Sequence, residues 1–359
     1  MEKRPSIAIV ILNWNGISLF PQFMPSLVEH SRGDGITLIV ADNGSTDGSP
    51  EFLEHHFPEV KVIRLGENHG FAGGYNRALS QVNADIFILA NSDIEVTPGW
   101  MEPCISRLLA HPGMAAVQPK VRSWKERHKF EYAGAAGGFL DRWGYPFCRG
   151  RILSEVEEDH GQYDQPLSIF WATGACMFIR AEAFRQSGGF DQDFFAHMEE
   201  IDLCWRLKNQ GWEIGFEPDS VVYHLGGATL PYQSPRKVFL NFRNSLWMLM
   251  KNLPEGKLMP VLLPRMILDG IAAAEFLVSG QFSAFSAVWK AHMDFYRTLG
   301  RFLRKRKSLL PLVKKSDHPG IYHGSMVWNF YIRRKRQFFR FGFDPVTGAK
   351  KHNGNLKMV

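Results

Sequence analysis

The chain has 359 residues, 45% hydrophobic and 22% charged, the proportions of a folded protein large enough for one α/β domain with an appendage or for two domains. Its four cysteines, Cys104, Cys148, Cys176 and Cys204, lie far apart without CxxC or zinc spacing, which excludes a disulfide framework and points to a reducing compartment. The net charge of +6 is unevenly spread: from Trp289 to Val359 there are 17 Lys/Arg against 3 Asp/Glu, a local +14 that leaves −8 for the rest.

The start, Met1-Glu-Lys-Arg-Pro-Ser6, runs into a strand-like segment with no signal peptide, so a cytoplasmic protein is expected. Ser6 to Leu12, Ile36 to Ala41, Val60 to Leu65 and Ile86 to Ala90 are apolar runs of the kind found in strands covered on both faces. Between them lie helix-like segments at about 17–30, 47–57, with Ser45 or Asp47 as possible caps, and 71–82. This alternation implies right-handed crossovers and a mainly parallel sheet. From Gln118 to Gln165 the pattern breaks into Gly- and aromatic-rich connections, expected to be a functional or mobile loop.

Order resumes at Trp171–Arg180, followed by expected helices at 181–186 and about 198–210 and a strand around Ser220–His224. After Pro235 the chain reads as Leu/Met/Phe-rich helices. The stretch Leu258–Trp289 is strongly apolar but broken by Arg265, Asp269 and Glu275. It lacks the ~20 uninterrupted apolar residues of a membrane span, so an in-plane amphipathic element or a packed hairpin fits it. The expected organisation is a catalytic domain over 1–235 and a helical, basic extension over 236–359.

Four polar loops fall at the carboxyl ends of the first four strands: Asn13–Gly16, Asp42–Asp47, Glu67–Arg77 and Asn91–Asp93. A parallel sheet brings such loops to one edge, where ligands bind, although each loop taken alone is an ordinary Asn/Asp/Ser/Gly turn. No GxxxxGK[ST] loop is present, and no GxGxxG follows the first strand, which removes the main support for a dinucleotide oxidoreductase. Gly70-Phe-Ala-Gly-Gly74 opens a helix. It either brings backbone N–H groups to a phosphate or lets the helix pack closely on a strand.

The ordered set VILNWNG, VADNGSTDGS, NHGFAGGYNRAL, ANSDIEV, TGACMFIRAEAF, GGFDQDFFAHMEEIDLCWRLKNQGW and VVYHLGG resembles the family 2 glycosyltransferases, and among them the bacterial rhamnosyltransferase-like branch. The similarity spans about residues 6 to 250. It implies an α/β GT-A fold, a Rossmann-like sheet binding a nucleotide-diphosphate sugar. Asp42 matches the carboxylate that reads a pyrimidine N3–H; Asn13, Asn68 and Arg77 match positions lining the nucleotide. Asp93 matches the last acid of the DxD motif, a ligand for Mg2+ or Mn2+ at the diphosphate. The first acid of that motif is here Asn91, so a further ligand is required, and His224 matches a metal-binding His of part of the family.

The resemblance also implies a general base in Met198-Glu-Glu-Ile-Asp202, at Glu200 with Glu199 as the fallback. Unaided, two carboxylates at a helix start serve the helix dipole. Asp202, spaced to pair with Arg206, reads as positional or acceptor-binding, and Trp171, Thr173 and Gly174 as lining the acceptor side. The implied activity is a metal-dependent, inverting transfer to a growing cell-surface glycan, with a glycan or polyprenyl-diphosphate-linked acceptor. dTDP-rhamnose is favoured as donor over UDP-sugars.

Two other classes remain open from the residues. One is a noncatalytic carbohydrate or lipid-head-group binding module on the same fold. The other is a nucleic-acid protein, suggested by Arg333-Arg-Lys-Arg-Gln-Phe-Phe-Arg340. No nucleic-acid motif accompanies that run, and the same mixture suits the cytoplasmic face of an anionic membrane, so peripheral membrane contact is expected and nucleic acid is not.

Overall fold

A computed structural model describes residues 4–226 and 234–347. Gly227 of the VVYHLGG motif and Lys350, Lys351 and Lys357 of the basic tail lie outside the described residues.

The chain opens with β1 (Ile7–Asn13), α1 (Phe20–His30), β2 (Ile36–Asp42), α2 (Ser49–His56), β3 (Lys61–Arg64), α3 (Gly70–Ser80) and β4 (Ile86–Asn91). Strands β3, β2, β1 and β4 lie side by side in that order, all parallel. The continuous apolar runs exist because the sheet is covered on both faces. Ala8, Val10 and Leu89 enter one core and Ile9, Ile11 and Ile88 the other, so successive residues alternate between two buried layers.

Beyond β4 come β5 (Ile94–Val96), α4 (Glu102–Ala110) and β6 (Met114–Ser123). Next is a small group of strands: β7 (Gly138–Asp141), β8 (Pro146–Cys148), β9 (Arg151–Ile152) and β10 (Glu155–Val156). Then follow β11 (Leu167–Ile169), β12 (Cys176–Arg180), α5 (Ala181–Gln186), α6 (Glu199–Asn209) and β13 (Glu213–His224). Strand β12 joins β4 antiparallel, β6 pairs with β12, and β13 runs parallel to β6, with β11 and β5 antiparallel to β13. The fold is thus a mixed, largely parallel α/β sheet flanked by helices, as expected.

The stretch expected to be a loop is structured. Strands β7–β10 form a second sheet that β14 (Ile321–Tyr322) extends. Its strands have only two to four residues, too short for a period-2 pattern to register.

The C-terminal part contains α7 (Pro235–Asn252), α8 (Leu258–Val278), α9 (Phe282–Leu309) and α10 (Met326–Tyr331). It is helical as expected, and it packs both within itself and on the preceding part. Trp247 of α7 stacks on Phe302 of α9 at 4.3 Å, and Phe338, Phe341 and Phe343 pack around Phe147. Within the basic run, Phe338 is buried and Arg336 pairs with Glu155 at 2.7 Å. Those two residues tie the middle of the run to the second sheet. All four cysteines are free and buried.

Candidate functional site

The register of the parallel strands sets one row at their carboxyl ends: Asn13 lies beside Asp42, Leu12 beside Asn91, and Asp42 beside Arg64. Asn13 and Asp42 are both buried. The Asn13 amide donates to Asp42 Oδ1 (3.3 Å) and Ser45 Oγ (3.1 Å), while Ser45 N–H donates to Asp42 Oδ2 (3.1 Å). Asn13 Oδ1 is buried without a hydrogen-bond partner. An unpaired buried acceptor costs about 1–3 kcal/mol, so this edge holds an acceptor whose partner the protein does not supply. Trp14, the next residue, stands 45% exposed beside it.

The glycine-rich helix start settles between its two expected uses. Asn68 Oδ1 accepts from Gly70 N–H (2.8 Å), and the N–H groups of Phe71 and Ala72 both donate to the Phe195 carbonyl (2.7 and 3.2 Å). The backbone donors that would cradle a phosphate are taken, so the phosphate alternative fails. Packing explains the glycines instead: a Cβ at Gly70 would strike the Phe195 ring at 2.6 Å, and one at Gly74 would meet Leu12 at 2.8 Å. Arg77 lies on the exposed face of α3, seven residues beyond Gly70.

At the end of β4 the chain turns so that β5 can pair with β13, which places Asp93 against His224. Asp93 Oδ1 is 3.1 Å from His224 Nε2, and Asp93 Oδ2 accepts from Gly226 N–H (3.1 Å). The Asn91 amide lies 3.2 Å from the same Nε2. On the opposite side of the ring, Nδ1 is 3.4 Å from Glu131 Oε2, an oxygen that also accepts from Ala133 N–H. Burial alone would lower the His224 pKa, but the two flanking carboxylates outweigh it and push it up to about 10. For Asp93 burial acts upward, and the imidazole brings its pKa below the ordinary carboxylate value.

A carboxylate and an imidazole nitrogen, both buried and converging at 3.1 Å, are a donor pair of the kind a divalent ion would take on displacing the Nε2 proton. Glu131 holds the other ring nitrogen, the usual outer partner of a ligating His, and so presents Nε2 toward Asp93. Among the described residues no three His, Cys, Asp or Glu side chains surround a common point.

Residues Phe195, His197 and Met198, just before α6, have φ of 64°, 70° and 71°. None is glycine, and each left-handed residue of this kind costs on the order of 1–3 kcal/mol. The turn is kept in place from outside. The fully buried Asn244 of α7 directs its amide at the carbonyls of Phe194 (3.0 Å), Ala196 (2.9 Å) and His197 (2.7 Å), while the α3 N–H groups hold the Phe195 carbonyl.

The result is a pair of carboxylates at the helix start, each with an oxygen that is buried and unpartnered: Glu199 Oε2 and Glu200 Oε2. Burial pushes the Glu199 carboxyl well above its ordinary range, with Glu200 adding to it. Burial also raises Glu200, to about 7, against several backbone N–H groups that favour its charged form.

Glu200 is the outer of the two, half-buried, and its Cβ lies 3.8 Å from where a side chain at Gly174 would begin. Gly174 leads into Ala175, whose carbonyl accepts from Asn91 N–H (3.0 Å), the residue beside His224. The backbone at Gly174 and Ala175 therefore runs from beside Glu200 to the strand end that carries Asn91.

Three residues expected near the acceptor are buried. Trp171 is buried and donates through Nε1 to the Phe139 carbonyl (3.0 Å). Thr173 is buried, with its hydroxyl accepting from Ala175 N–H (3.1 Å). Asp202 is fully buried. Arg206 and Lys251 bond its Oδ2 at 2.9 and 2.8 Å, and Asn252 bonds its Oδ1 at 2.8 Å. Both oxygens are committed, so the acceptor-binding alternative for Asp202 gives way to the positional one, a tie between α6 and α7. Sequence reasoning missed Glu131 and Asn244, which sit outside every quoted motif; no spacing signal marks either.

The protein-family model for glycosyl transferase family 2 matches residues 8–188. Over 207 residues, 53% of the chain, it is 28% identical to N-acetylglucosaminyl-diphospho-decaprenol L-rhamnosyltransferase of Mycobacterium tuberculosis, and it spans 66% of that protein's length. Two solved structures share the fold. One is a mannosyltransferase from Pyrobaculum calidifontis in complex with GDP-Man and Mn2+ (TM-score 0.51, 14% identity, 87% of this chain and 86% of that one). The other is GalNAc-T7 with UDP, GalNAc and Mn2+ (TM-score 0.53, 16% identity, 70% and 48%). With the motif set, the sheet and half of the sequence all agreeing, the chain belongs to glycosyl transferase family 2.

Proposed function

We propose that this protein is an inverting glycosyltransferase that takes a sugar from a nucleotide-diphosphate donor, dTDP-rhamnose before UDP-sugars, and adds it to a growing, lipid-linked cell-surface glycan. The observation that carries the reading is the run of backbone just described. A half-buried carboxylate with a pKa near 7 and an unpartnered oxygen lies beside Gly174, and the backbone there runs through Ala175 to the strand end that carries Asn91, next to His224. The decaprenol in the name of the mycobacterial relative supports a lipid-linked acceptor.

In this reading Asp42 and Asn13 receive the base, with the orphaned Asn13 oxygen open to a donor on the nucleotide. Asp93 and His224 would hold Mg2+ or Mn2+, which would supply positive charge against the diphosphate. Glu200 takes the proton of the acceptor hydroxyl. The oxygen bonds the anomeric carbon from the face opposite the diphosphate as the old C–O bond breaks. That single displacement inverts the configuration. Glu199 lies deeper, and burial disfavours a second negative charge there beside Glu200.

The test is a thermal-shift screen of dTDP- and UDP-sugars with and without Mn2+, joined to a product assay on a polyprenyl-diphosphate-linked acceptor. Donor-dependent stabilisation, lost in Asp93→Ala while circular dichroism is unchanged, and a product of inverted configuration are expected. Full activity in excess EDTA overturns the metal assignment; donor binding without any product leaves a binding module.

A further inference from the structure

Helix α8 is inside out. Its buried face carries the charges, Arg265 bonded to Asp269 at 2.8 Å and stacked over Tyr145. From Met259 to Ile271 its solvent face is aliphatic: Met259, Leu263, Ile267 and Ile271 recur every four residues, with Ile267 65% and Ile271 61% exposed, and the exposed Glu275 ends the stripe. A globular helix normally shows the reverse, and contiguous apolar surface of this kind marks a contact site.

The antiparallel partner α9 continues the surface with Trp289, Met293 and Tyr296, all exposed. Between and beyond them stand the exposed cations Lys290, Arg297, Arg304 and Lys307. At the end of α10, exposed Tyr331 and Ile332 are followed by exposed Arg333 and Arg334.

We propose that the α8–α9 hairpin, with the end of α10, docks in the plane of an anionic lipid bilayer. Aliphatic side chains enter the acyl boundary, Trp289 and Tyr296 sit at head-group depth, and the Lys/Arg side chains meet lipid phosphates. Among the described residues no helix is long and apolar enough to cross a membrane, which suits insertion parallel to the surface. Charge decides between occupants. A second copy meeting this face about a two-fold axis sets cation against cation, whereas an anionic surface neutralises them. The face is also tied to the acid pair, because α9 packs on α7 and α7 carries Asn244.

Truncating the tail is the wrong test: ending the chain before Arg301 strips Phe302 from Trp247 and β14 from β7. Point substitutions on the exposed stripe avoid that. The full chain is pelleted with vesicles of phosphatidylcholine alone and of phosphatidylcholine with phosphatidylglycerol, at low and high salt, beside Ile267→Glu/Ile271→Glu. Wild type is expected to pellet with the anionic vesicles at low salt and to be released by salt. The double variant binds about tenfold more weakly or less. Donor-induced thermal shift, retained in the variant, shows the fold and donor site intact and separates this proposal from the glycosyltransferase reading. A wild type that stays in the supernatant, or a variant that binds equally well, overturns it. Dimerisation by sedimentation velocity that the variant abolishes, without vesicle binding, also overturns it and gives the face to a second copy.

Discussion

The two halves of the site are built by different means. At the carboxyl ends of the first strands, the proposed donor side, Asn13, Asp42, Asn43, Ser45 and Asn68 bond mostly to one another across adjacent loops of a parallel sheet. On the acid side, two carboxylates sit on a strained turn with unpartnered oxygens, held by a residue almost fifty positions further along the chain. The first half is close to self-satisfied and so is stable wherever the sheet forms. The second is costly in itself and exists only because α3, α7 and the Asp202 network impose it. Unsatisfied groups and strained backbone of this sort gather where a reaction needs them, and the surrounding packing carries the cost.

The largest expected effect tests whether the acid pair has unequal members. Glu200→Gln should leave donor affinity nearly unchanged and lower turnover by roughly 10²–10⁴-fold, the range for a positioned acid–base group. Glu199→Gln should be much milder, since burial raises the Glu199 carboxyl well above its ordinary range and so disfavours its charged form. A dead Glu199→Gln beside an active Glu200→Gln reverses the assignment within the pair.

A smaller effect tests the support from α7. Asn244→Ala removes the amide that three carbonyls of the acidic turn share. With about 1 kcal/mol per hydrogen bond lost, the turn relaxes toward ordinary φ values, and turnover should fall about tenfold. Donor binding at the Asn13–Asp42 edge should be unaffected. Equal losses in donor affinity and turnover would mean that the two halves are not independently built.

This contrast also explains what was legible in the sequence. The donor edge could be read because its residues follow apolar strand runs directly; the period-2 core of β1, β2 and β4 fixes where Asn13, Asp42 and Asn91 must lie. Asp93 and His224 were legible only through resemblance to a family, since their meeting depends on β5 pairing with β13 across 130 residues of chain. Glu131 and Asn244 were not legible. Each acts through a long-range contact that leaves no local pattern, Glu131 on a connection in the short-stranded region and Asn244 on an amphipathic helix where an Asn is unremarkable. The burial of Phe338, Phe341 and Phe343 in the tail was hidden for a related reason: they pack on the second sheet, whose strands are too short to be seen in advance.

The smallest expected effect is in stability, and it follows from the sign of the Glu200 shift. Its carboxyl titrates near 7 in the folded protein, above the ordinary value of 4.5, with burial as the largest cause. The folded state therefore holds the proton more tightly than the unfolded one. Stability from this group is fully present below the unfolded value and is lost as pH rises through about 7. Because Glu200 is half-buried and solvent shares the charge, the loss is on the order of 1 kcal/mol. Glu200→Gln removes the titration. Its melting temperature should match wild type below pH 4.5 and exceed it by about 1–3 °C at pH 8. Wild-type turnover should meanwhile rise across the same interval as the carboxylate ionises, while the residual turnover of the Gln variant stays flat. A variant that is less stable than wild type at pH 8 would show Glu200 to be satisfied in the fold, and its place as the exposed-to-substrate member of the pair would be lost.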